Sequence, residues 1–143
     1  MSKRNTILML EDNDERIESF QAVVATLSPP LRLKVWFDAP AMIAESPPLF
    51  DEACLFSLDH DLNQRAGANR DPGDGLEVAK FLALKQPICP VLIHSSNYER
   101  AWSMHNEFRF AGWTVDRIGP IGDDWIQRLW LPKVQDLLKC FGK

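Results

Sequence analysis

Short apolar segments alternate with stretches of helical spacing along this chain, and this alternation constrains its fold more than any other feature. A strand followed by a helix usually returns the chain to a parallel neighbouring strand. The predicted strands span residues 6–10, 33–36, 54–58, 90–93 and 113–117. The pattern therefore predicts an α/β fold with a doubly wound, five-stranded parallel sheet. If the strand order is 2-1-3-4-5, the third strand lies between the first and the fourth.

Helix signals fill the segments between the predicted strands. The predicted helices cover residues 17–27, 39–45, 76–85, 123–140 and the stretch from the cap residue Asn97 to about Ala111. Gly112 should end the helix that begins at Asn97, and Pro132 should kink or split the helix over residues 123–140. Residues 59–74 form a long polar loop. Without an internal repeat or linker, a single domain over residues 1–143 is expected.

Composition narrows the class of protein. Apolar residues make up 45% of the chain, which is enough for a packed core. No apolar run is long enough to span a membrane or to form a signal-peptide core, so a cytoplasmic protein is expected. The formal charge of −4 disfavours general binding to nucleic-acid backbones but leaves recognition of a single RNA end open. Cys54, Cys89 and Cys140 are widely spaced and are expected to be packing residues or inert thiols.

Polar residues follow three of the predicted strands directly. These groups are Glu11 and Asp12 after the first strand, Asp59, His60 and Asp61 after the third, and His94, Ser95, Ser96 and Asn97 after the fourth. In doubly wound sheets, ligands bind beyond the carboxyl ends of the strands, at the point where the strand order reverses. We therefore expect the three groups to line one crevice.

The acidic residues of this crevice predict a metal site. Carboxylates that lie close together repel each other, and a divalent cation, bound protons or a basic side chain must offset their charge. Oxygen ligands favour Mg²⁺, with Mn²⁺ as an alternative. The candidate ligands are Glu11, Asp12, Asp59 and Asp61. The competing interpretation is that Asp12 caps a helix and that Asp61 belongs to a solvated loop.

Two histidines stand beside these carboxylates. His60 and His94 are candidates for an acid–base pair, because imidazole titrates near neutral pH. A single histidine at a strand end is more often a structural hydrogen-bonding residue. His105 lies in the middle of a predicted helix and is not expected to take part.

Several other residues are candidates for contact with phosphate. The hydroxyl groups of Ser95 and Ser96 and the amide of Asn97 lie at the start of a predicted helix, where anions bind readily. Asn97 also suits a simple helix cap. Arg65 and Arg70 lie on the long loop, which is able to close over the crevice, although solvated arginines are the more common case.

Taken together, these segments resemble the receiver domains of two-component signalling, over roughly residues 6–140. Glu11 and Asp12 match the acidic pair after the first strand, and Asp59 matches the phosphoacceptor aspartate. Asp61 stands where a backbone carbonyl binds Mg²⁺, and Ser95 stands at the Ser/Thr position. The resemblance implies a flavodoxin-like fold with the strand order 2-1-3-4-5. Two features depart from it: the loop after Asp59 is longer, and Gly119-Pro120 replaces the expected Lys-Pro, so the lysine that contacts the phosphoryl group is missing.

A narrower resemblance involves both histidines. The segments Leu58-Asp-His-Asp-Leu62 and His94-Ser-Ser-Asn97 are similar to those of the cyclic-phosphate-processing receiver domains. This resemblance implies roles in catalysis or ligand binding for Asp59, His60, Asp61, His94, Ser95 and Asn97.

Three functions remain open at this stage. The first is a metal-assisted phosphodiesterase acting on a cyclic phosphate, in a cyclic nucleotide or at an RNA end. The second is a signalling module that is phosphorylated on Asp59 and binds a signalling protein partner. The third is a non-catalytic, receiver-like interaction module.

Overall fold

The computed structural model of the chain describes residues 4–64 and 66–141. The strands are β1 (Thr6–Leu10), β2 (Arg32–Trp36), β3 (Ala53–Leu58), β4 (Val91–His94) and β5 (Val115–Ile118). The α-helices are α1 (Asp14–Val24), α2 (Ala39–Glu45), α3 (Gly75–Ala83), α4 (Tyr98–Phe110) and α5 (Leu131–Phe141). Within these residues the five strands are parallel and lie in the order β2-β1-β3-β4-β5, which confirms the predicted fold class.

Alternate residues of the central strands face two separate helical layers. In β1, Leu8 and Leu10 pack with residues of α2, α3 and α4, while Ile7 and Met9 pack with residues of α1 and α5. All four side chains are fully buried. Burial of one such side chain stabilises the fold by about 1.5–3 kcal/mol. The continuous apolar sequence of the strands follows from this coverage on both faces.

Side-chain caps fix where three helices begin at the carboxyl edge of the sheet. Asn13 caps α1 by accepting a hydrogen bond from the Arg16 amide at 3.0 Å. Asp74 caps α3, and Asn97 caps α4, as predicted for Asn97. These caps satisfy amides that a helix leaves unpaired, and they place the first turns of α1, α3 and α4 around the ends of β1, β3 and β4.

The structure differs from the sequence prediction at several element boundaries. β4 includes His94, because this residue pairs with Ile118 of β5. β5 begins at Val115 and not at Trp113, whose amide donates to the carbonyl of Phe108 in the turn after α4. No helix in the described residues is long and apolar enough to cross a membrane.

The expected disturbance at Pro132 takes the form of a π-helical segment, Ile126–Trp130, directly before α5. The amide of Leu131 donates to the carbonyl of Ile126, five residues earlier. Proline has no amide hydrogen, and its ring collides with the carbonyl four residues before it in a regular α-helix. The wider π turn therefore accommodates Pro132 while the chain continues as a helix.

Candidate metal and phosphate site

A crevice opens at the carboxyl edge of the sheet, where β1 and β3 end side by side. Leu10 and Leu58 are register partners in these two strands. The acidic residues that follow them emerge together, and one side-chain oxygen from each of Glu11, Asp12 and Asp59 lies within 4.8 Å of the others. The crevice has a volume of about 700 Å³. Its described lining residues are Asp12, Asn13, Asp14, Glu15, Arg16, Asp59, Asp61, Asn63, Gln64, Ala66 and Ser96.

Glu11 forms the buried floor of this acidic group. One carboxylate oxygen, Oε2, accepts hydrogen bonds from the backbone amides of Asp12 and Asn13, each at 3.0 Å. The other oxygen, Oε1, lies 3.1 Å from Nε2 of His94. Burial alone would raise the pKa of Glu11, but the hydrogen bond and charge of His94, together with the amide of Asn13, bring it below its ordinary value. Glu11 therefore carries a negative charge inside the protein.

Asp59 is almost completely buried beside Glu11. Its Oδ1 accepts a hydrogen bond from the amide of His60 at 2.7 Å. Burial raises the pKa of Asp59 to about 6, and the charge of Glu11 adds to the increase, whereas His94 lowers it. The folded protein therefore favours the protonated form of Asp59 at mildly acidic pH, and a cation beside it would favour the ionised form.

Asp12 lies closer to the surface of the crevice. Its Oδ2 accepts a hydrogen bond from the amide of Asn63 at 2.5 Å, which joins the start of the long loop to the end of β1. Burial raises the pKa of Asp12, and the charge of Glu11 has the same effect. The competing interpretation of Asp12 as a helix cap is wrong, because Asn13 caps α1.

His94 lies on the face of the sheet that α1 and α5 cover, and its side chain is fully buried. Its Nδ1 is 2.8 Å from Oγ of Ser57, and that oxygen accepts a hydrogen bond from the indole N–H of Trp130 at 3.0 Å. An ionised carboxylate can only accept hydrogen bonds, so Nε2 of His94 donates to Glu11. The imidazole also stacks on Trp125. A buried polar chain thus links the last helical region to Glu11.

His60 lies beside the N-terminus of α3. Its Nδ1 is 2.7 Å from Oδ1 of Asp61, and its Nε2 is 3.7 Å from Oδ2 of Asp74. The backbone carbonyl of His60 accepts a hydrogen bond from Gly75 at 2.9 Å. His60 and His94 therefore lie on different sides of the acidic group, and neither is among the residues that line the crevice. The two imidazoles that the sequence suggests as an acid–base pair are thus separate from the described residues that line the crevice.

Asp61, Ser95, Ser96 and Asn97 come together at the mouth of the crevice. Nδ2 of Asn97 lies 3.4 Å from each carboxylate oxygen of Asp61. Oγ of the buried Ser95 accepts a hydrogen bond from the amide of Asn97 at 3.1 Å. Ser96 is exposed and lines the crevice together with Asp61. Asp61 lies outside the group of three close carboxylates.

The long loop borders the crevice with its first half only. Asn63, Gln64 and Ala66 line the crevice. The second half packs next to α2, where the carbonyl of Pro72 accepts a hydrogen bond from the amide of Ala39 at 2.7 Å. The described residues of the first half of the loop thus form part of one wall of the crevice.

Arg16 also belongs to this site, although the sequence pattern did not predict it. Its Nη1 lies 3.7 Å from Oε1 of Glu11 and 3.7 Å from Oδ2 of Asp59. The guanidinium carbon lies 5.3 Å from the ring centroid of Trp125. One sequence feature could have indicated this role. Arg16 lies three residues after the cap residue Asn13, in the first turn of α1, and that turn begins beside the end of β1.

The arginines that the sequence suggested for phosphate contact lie elsewhere or are not described. Arg65 lies outside the described residues. Arg70 donates a hydrogen bond to Asp38 at 2.9 Å and is not among the described residues that line the crevice. Arg117, the arginine nearest to the missing lysine, lies with its guanidinium carbon 3.8 Å from the ring centroid of Trp102.

Structures of known proteins share this fold. The phosphorylated cyanobacterial phytochrome response regulator RcpA superposes with a TM-score of 0.60 at 17% identity, over 96% of this chain and 88% of that chain. The isolated REC domain of RcsB from Salmonella enterica, in the presence of phosphomimetic BeF3−, gives 0.65 at 14% identity, over 93% and 89%. The CheX–CheY–BeF3–Mg complex from Borrelia burgdorferi gives 0.62 at 10% identity, over 90% and 88%.

Among curated proteins, none matches this sequence significantly. The family model described as "Cyclic-phosphate processing Receiver domain" matches residues 33–110, more than half of the chain. These residues contain β3, β4, His60 and His94, together with the site residues that follow those two strands, but not Glu11, Asp12 or the site residues around the start of α1. The chain belongs to the family of cyclic-phosphate-processing receiver domains.

Proposed function

We propose that this protein binds Mg²⁺ or Mn²⁺ in the acidic crevice and there hydrolyses a cyclic phosphate ester, in a cyclic nucleotide or at an RNA end. The observation that carries the proposal is the group of three carboxylate oxygens, from Glu11, Asp12 and Asp59, within 4.8 Å of one another. Membership of the cyclic-phosphate-processing receiver family supports the choice of substrate class.

The chemistry of the donor atoms fits a hard divalent cation. Asp12 and Asp59 would hold the ion with the backbone carbonyl of Asp61, and the buried charge of Glu11 would lie behind them. Burial raises the pKa of Asp59, and the charge of Glu11 raises it further, so a cation at this point would stabilise the ionised form. When bound, the ion supplies positive charge to the carboxylates and to the phosphate group.

The remaining residues orient the substrate and handle protons. The side chain of Asp61 lies at the mouth of the crevice, held by His60 and Asn97, and accepts a proton from the attacking water. Asp61 then returns that proton to the departing sugar oxygen, and His60 positions Asp61 for this transfer through their contact. Ser95 and Ser96 donate hydrogen bonds to the phosphate, and Asn97 fixes the helix start beside them. His94 acts through Glu11 and keeps it charged.

The test is hydrolysis of 2′,3′-cyclic AMP and of RNA with a cyclic end, with Mg²⁺ or Mn²⁺, over about pH 5 to 8. Asp59→Asn should abolish both metal binding and turnover. Asp61→Asn should keep metal binding and lose turnover. The matched control is Asp136→Asn, an exposed aspartate of α5. If the wild-type protein binds the metal but leaves both substrates intact, the enzymatic proposal is wrong.

Phosphorylation of Asp59 is a second candidate function. Asp59 follows the central strand β3 at the acidic edge, with Ser95 at the end of β4, and the phosphorylated response regulator RcpA shares the fold. Incubation with acetyl phosphate and Mg²⁺ should then add one phosphoryl group to the wild type and none to Asp59→Asn. An unchanged mass of the wild type, measured under acid-quenched conditions, would contradict this function.

A further inference from the structure

Arg16 places a positive charge inside the acidic crevice. Its Nη1 is 3.7 Å from a carboxylate oxygen of Glu11 and 3.7 Å from one of Asp59. Both separations exceed the length of a hydrogen bond. The guanidinium group is thus close enough for electrostatic attraction, but it does not donate hydrogen bonds to these two oxygens.

The surroundings of Arg16 favour contact with an anion. Its side chain is 28% exposed, and its guanidinium group lies near the ring of Trp125, which removes part of its hydration. Trp125 is itself almost fully buried, so it holds the guanidinium group in place from behind. Guanidinium groups bind phosphate oxygens through paired N–H donors, and partial dehydration strengthens such contacts.

Among the described residues that line the crevice, Arg16 is the one with a positively charged side chain. The segment after β5, where a lysine was expected, reads Gly119-Pro120. Arg117 precedes it on β5 but stacks on Trp102 of α4. Positive charge therefore reaches the acidic group from α1 and not from the end of β5.

We propose that the guanidinium group of Arg16 binds the phosphate group in the crevice and determines the affinity of the protein for phosphorylated ligands. This inference rests on the proposed function, because the anion is the phosphate that shares the crevice with the divalent cation. It assigns to α1 the contact that a lysine after β5 does not provide.

The proposal requires opposite effects on the two ligands. Arg16 repels a divalent cation that approaches Glu11 and Asp59, whereas it attracts an anion. Replacement by glutamine should therefore leave the affinity for Mg²⁺ alone unchanged or higher. The same replacement should weaken binding of inorganic phosphate, in the presence of saturating Mg²⁺, by about tenfold or more. A purely structural role of Arg16 would weaken both.

The experiment is calorimetric titration of the wild type, Arg16→Gln and Arg109→Gln, first with Mg²⁺ and then with inorganic phosphate at saturating Mg²⁺. Arg109 is exposed in the last turn of α4, so its replacement changes the net charge equally and should leave both affinities as in the wild type. The Mg²⁺ titration also reports whether the crevice of Arg16→Gln is intact.

Different results overturn different claims. Wild-type protein that binds no Mg²⁺ would overturn the proposed metal site, and the role of Arg16 would fall with it. Wild-type protein that binds Mg²⁺ and phosphate, with phosphate affinity retained in Arg16→Gln, would overturn the role of Arg16 alone. Loss of both affinities in Arg16→Gln would show a structural residue and would also overturn it.

Discussion

Ser57 links Trp130 to His94 in the buried polar chain that ends at Glu11. Its Oγ accepts a hydrogen bond from Trp130 and contacts Nδ1 of His94 at 2.8 Å. All of these groups are buried, so water cannot replace a lost partner. The integrity of the acidic edge thus depends on a hydroxyl group in the middle of the core.

Ser57→Ala should destabilise the protein by about 2 kcal/mol, because it leaves two buried polar atoms without their partner. Urea unfolding measures this change. Ser103→Ala, at an exposed hydroxyl of α4, should change the free energy of unfolding by about 0.5 kcal/mol or less. Equal effects of the two replacements would contradict a structural role for the buried chain.

Metal binding should depend on pH through Asp59. Its pKa is raised from 3.8 to about 6, so the folded protein favours the protonated form at mildly acidic pH. In the absence of metal, this group contributes stability that is fully present below its ordinary pKa and is lost as the pH rises through about 6. A cation requires the ionised form, so its affinity should rise in the same range.

Calorimetry at about pH 5 and about pH 7 should show an increase in Mg²⁺ affinity of about tenfold, from the ionised fraction of one group with a pKa near 6. Glu11 is expected to add little, because its pKa lies below its ordinary value. Affinity that is equal at the two pH values would show that Asp59 is not a ligand.

At this scale, the sequence predicted which carboxylates meet but not where every side chain faces. Glu11, Asp12 and Asp59 follow strands whose order was predictable, so their proximity follows from topology. His94 shares its face with Leu92, and this parity points it to α1 and α5. His60 follows β3, where the alternation of the strand no longer fixes the direction of a side chain.

The first turn of α3 packs closely against the end of β3, where the site begins. A Cβ atom at Gly75 would lie 2.0 Å from the carbonyl oxygen of Asp59 and 2.9 Å from Cα of His60. Only glycine allows this approach, which brings the end of β3 against the helix. The position of His60 beside α3 therefore depends on Gly75.

Gly75→Ala should destabilise the protein by about 2 kcal/mol or more, although alanine normally favours a helix over glycine. Thermal and urea unfolding both measure it. The matched control is Gly119→Ala, where the added Cβ would meet only side-chain atoms of Ile121 at 3.8 Å. If Gly75→Ala is as stable as the control, the close packing of α3 on β3 is not rigid.

The elements themselves were largely predictable, and their ends less so. Apolar periodicity places the helices and strands, because it reflects which residues are buried. It does not show how the chain adapts around Pro132, since a π turn and a simple kink bury similar residues. Apolar periodicity also assigned Trp113 to β5, because the sequence alone does not distinguish a buried tryptophan in a turn from a buried tryptophan in a strand.

On the scale of the whole molecule, negative charge is concentrated as well as in excess. The formal net charge is −4, and buried carboxylates at one edge of the sheet add local repulsion. A cation that binds only the folded protein relieves this repulsion and shifts the folding equilibrium. The order of the strands, which the resemblance to receiver domains implied and the structure confirms, is what concentrates the charge.

Mg²⁺ should therefore raise the melting temperature at about pH 7.5, with about 2.7 kcal/mol of added stability when its concentration is 100-fold above the Kd. EDTA should reverse the shift, and Asp12→Asn should reduce it. NaCl at equal ionic strength serves as the control. A NaCl shift as large as that of Mg²⁺ would indicate general screening of charge and no specific ion site.

Trp125 gives the crevice an optical reporter. Its indole stacks on the imidazole of His94 and lies 5.3 Å from the guanidinium carbon of Arg16. Indole fluorescence responds to cationic and imidazole neighbours, so a ligand that displaces Arg16 will change the emission of this residue. Subtracting the emission of a Trp125→Phe protein isolates that signal from the other tryptophans. Occupancy of the crevice can thus be followed in unlabelled protein, in real time and at low concentration.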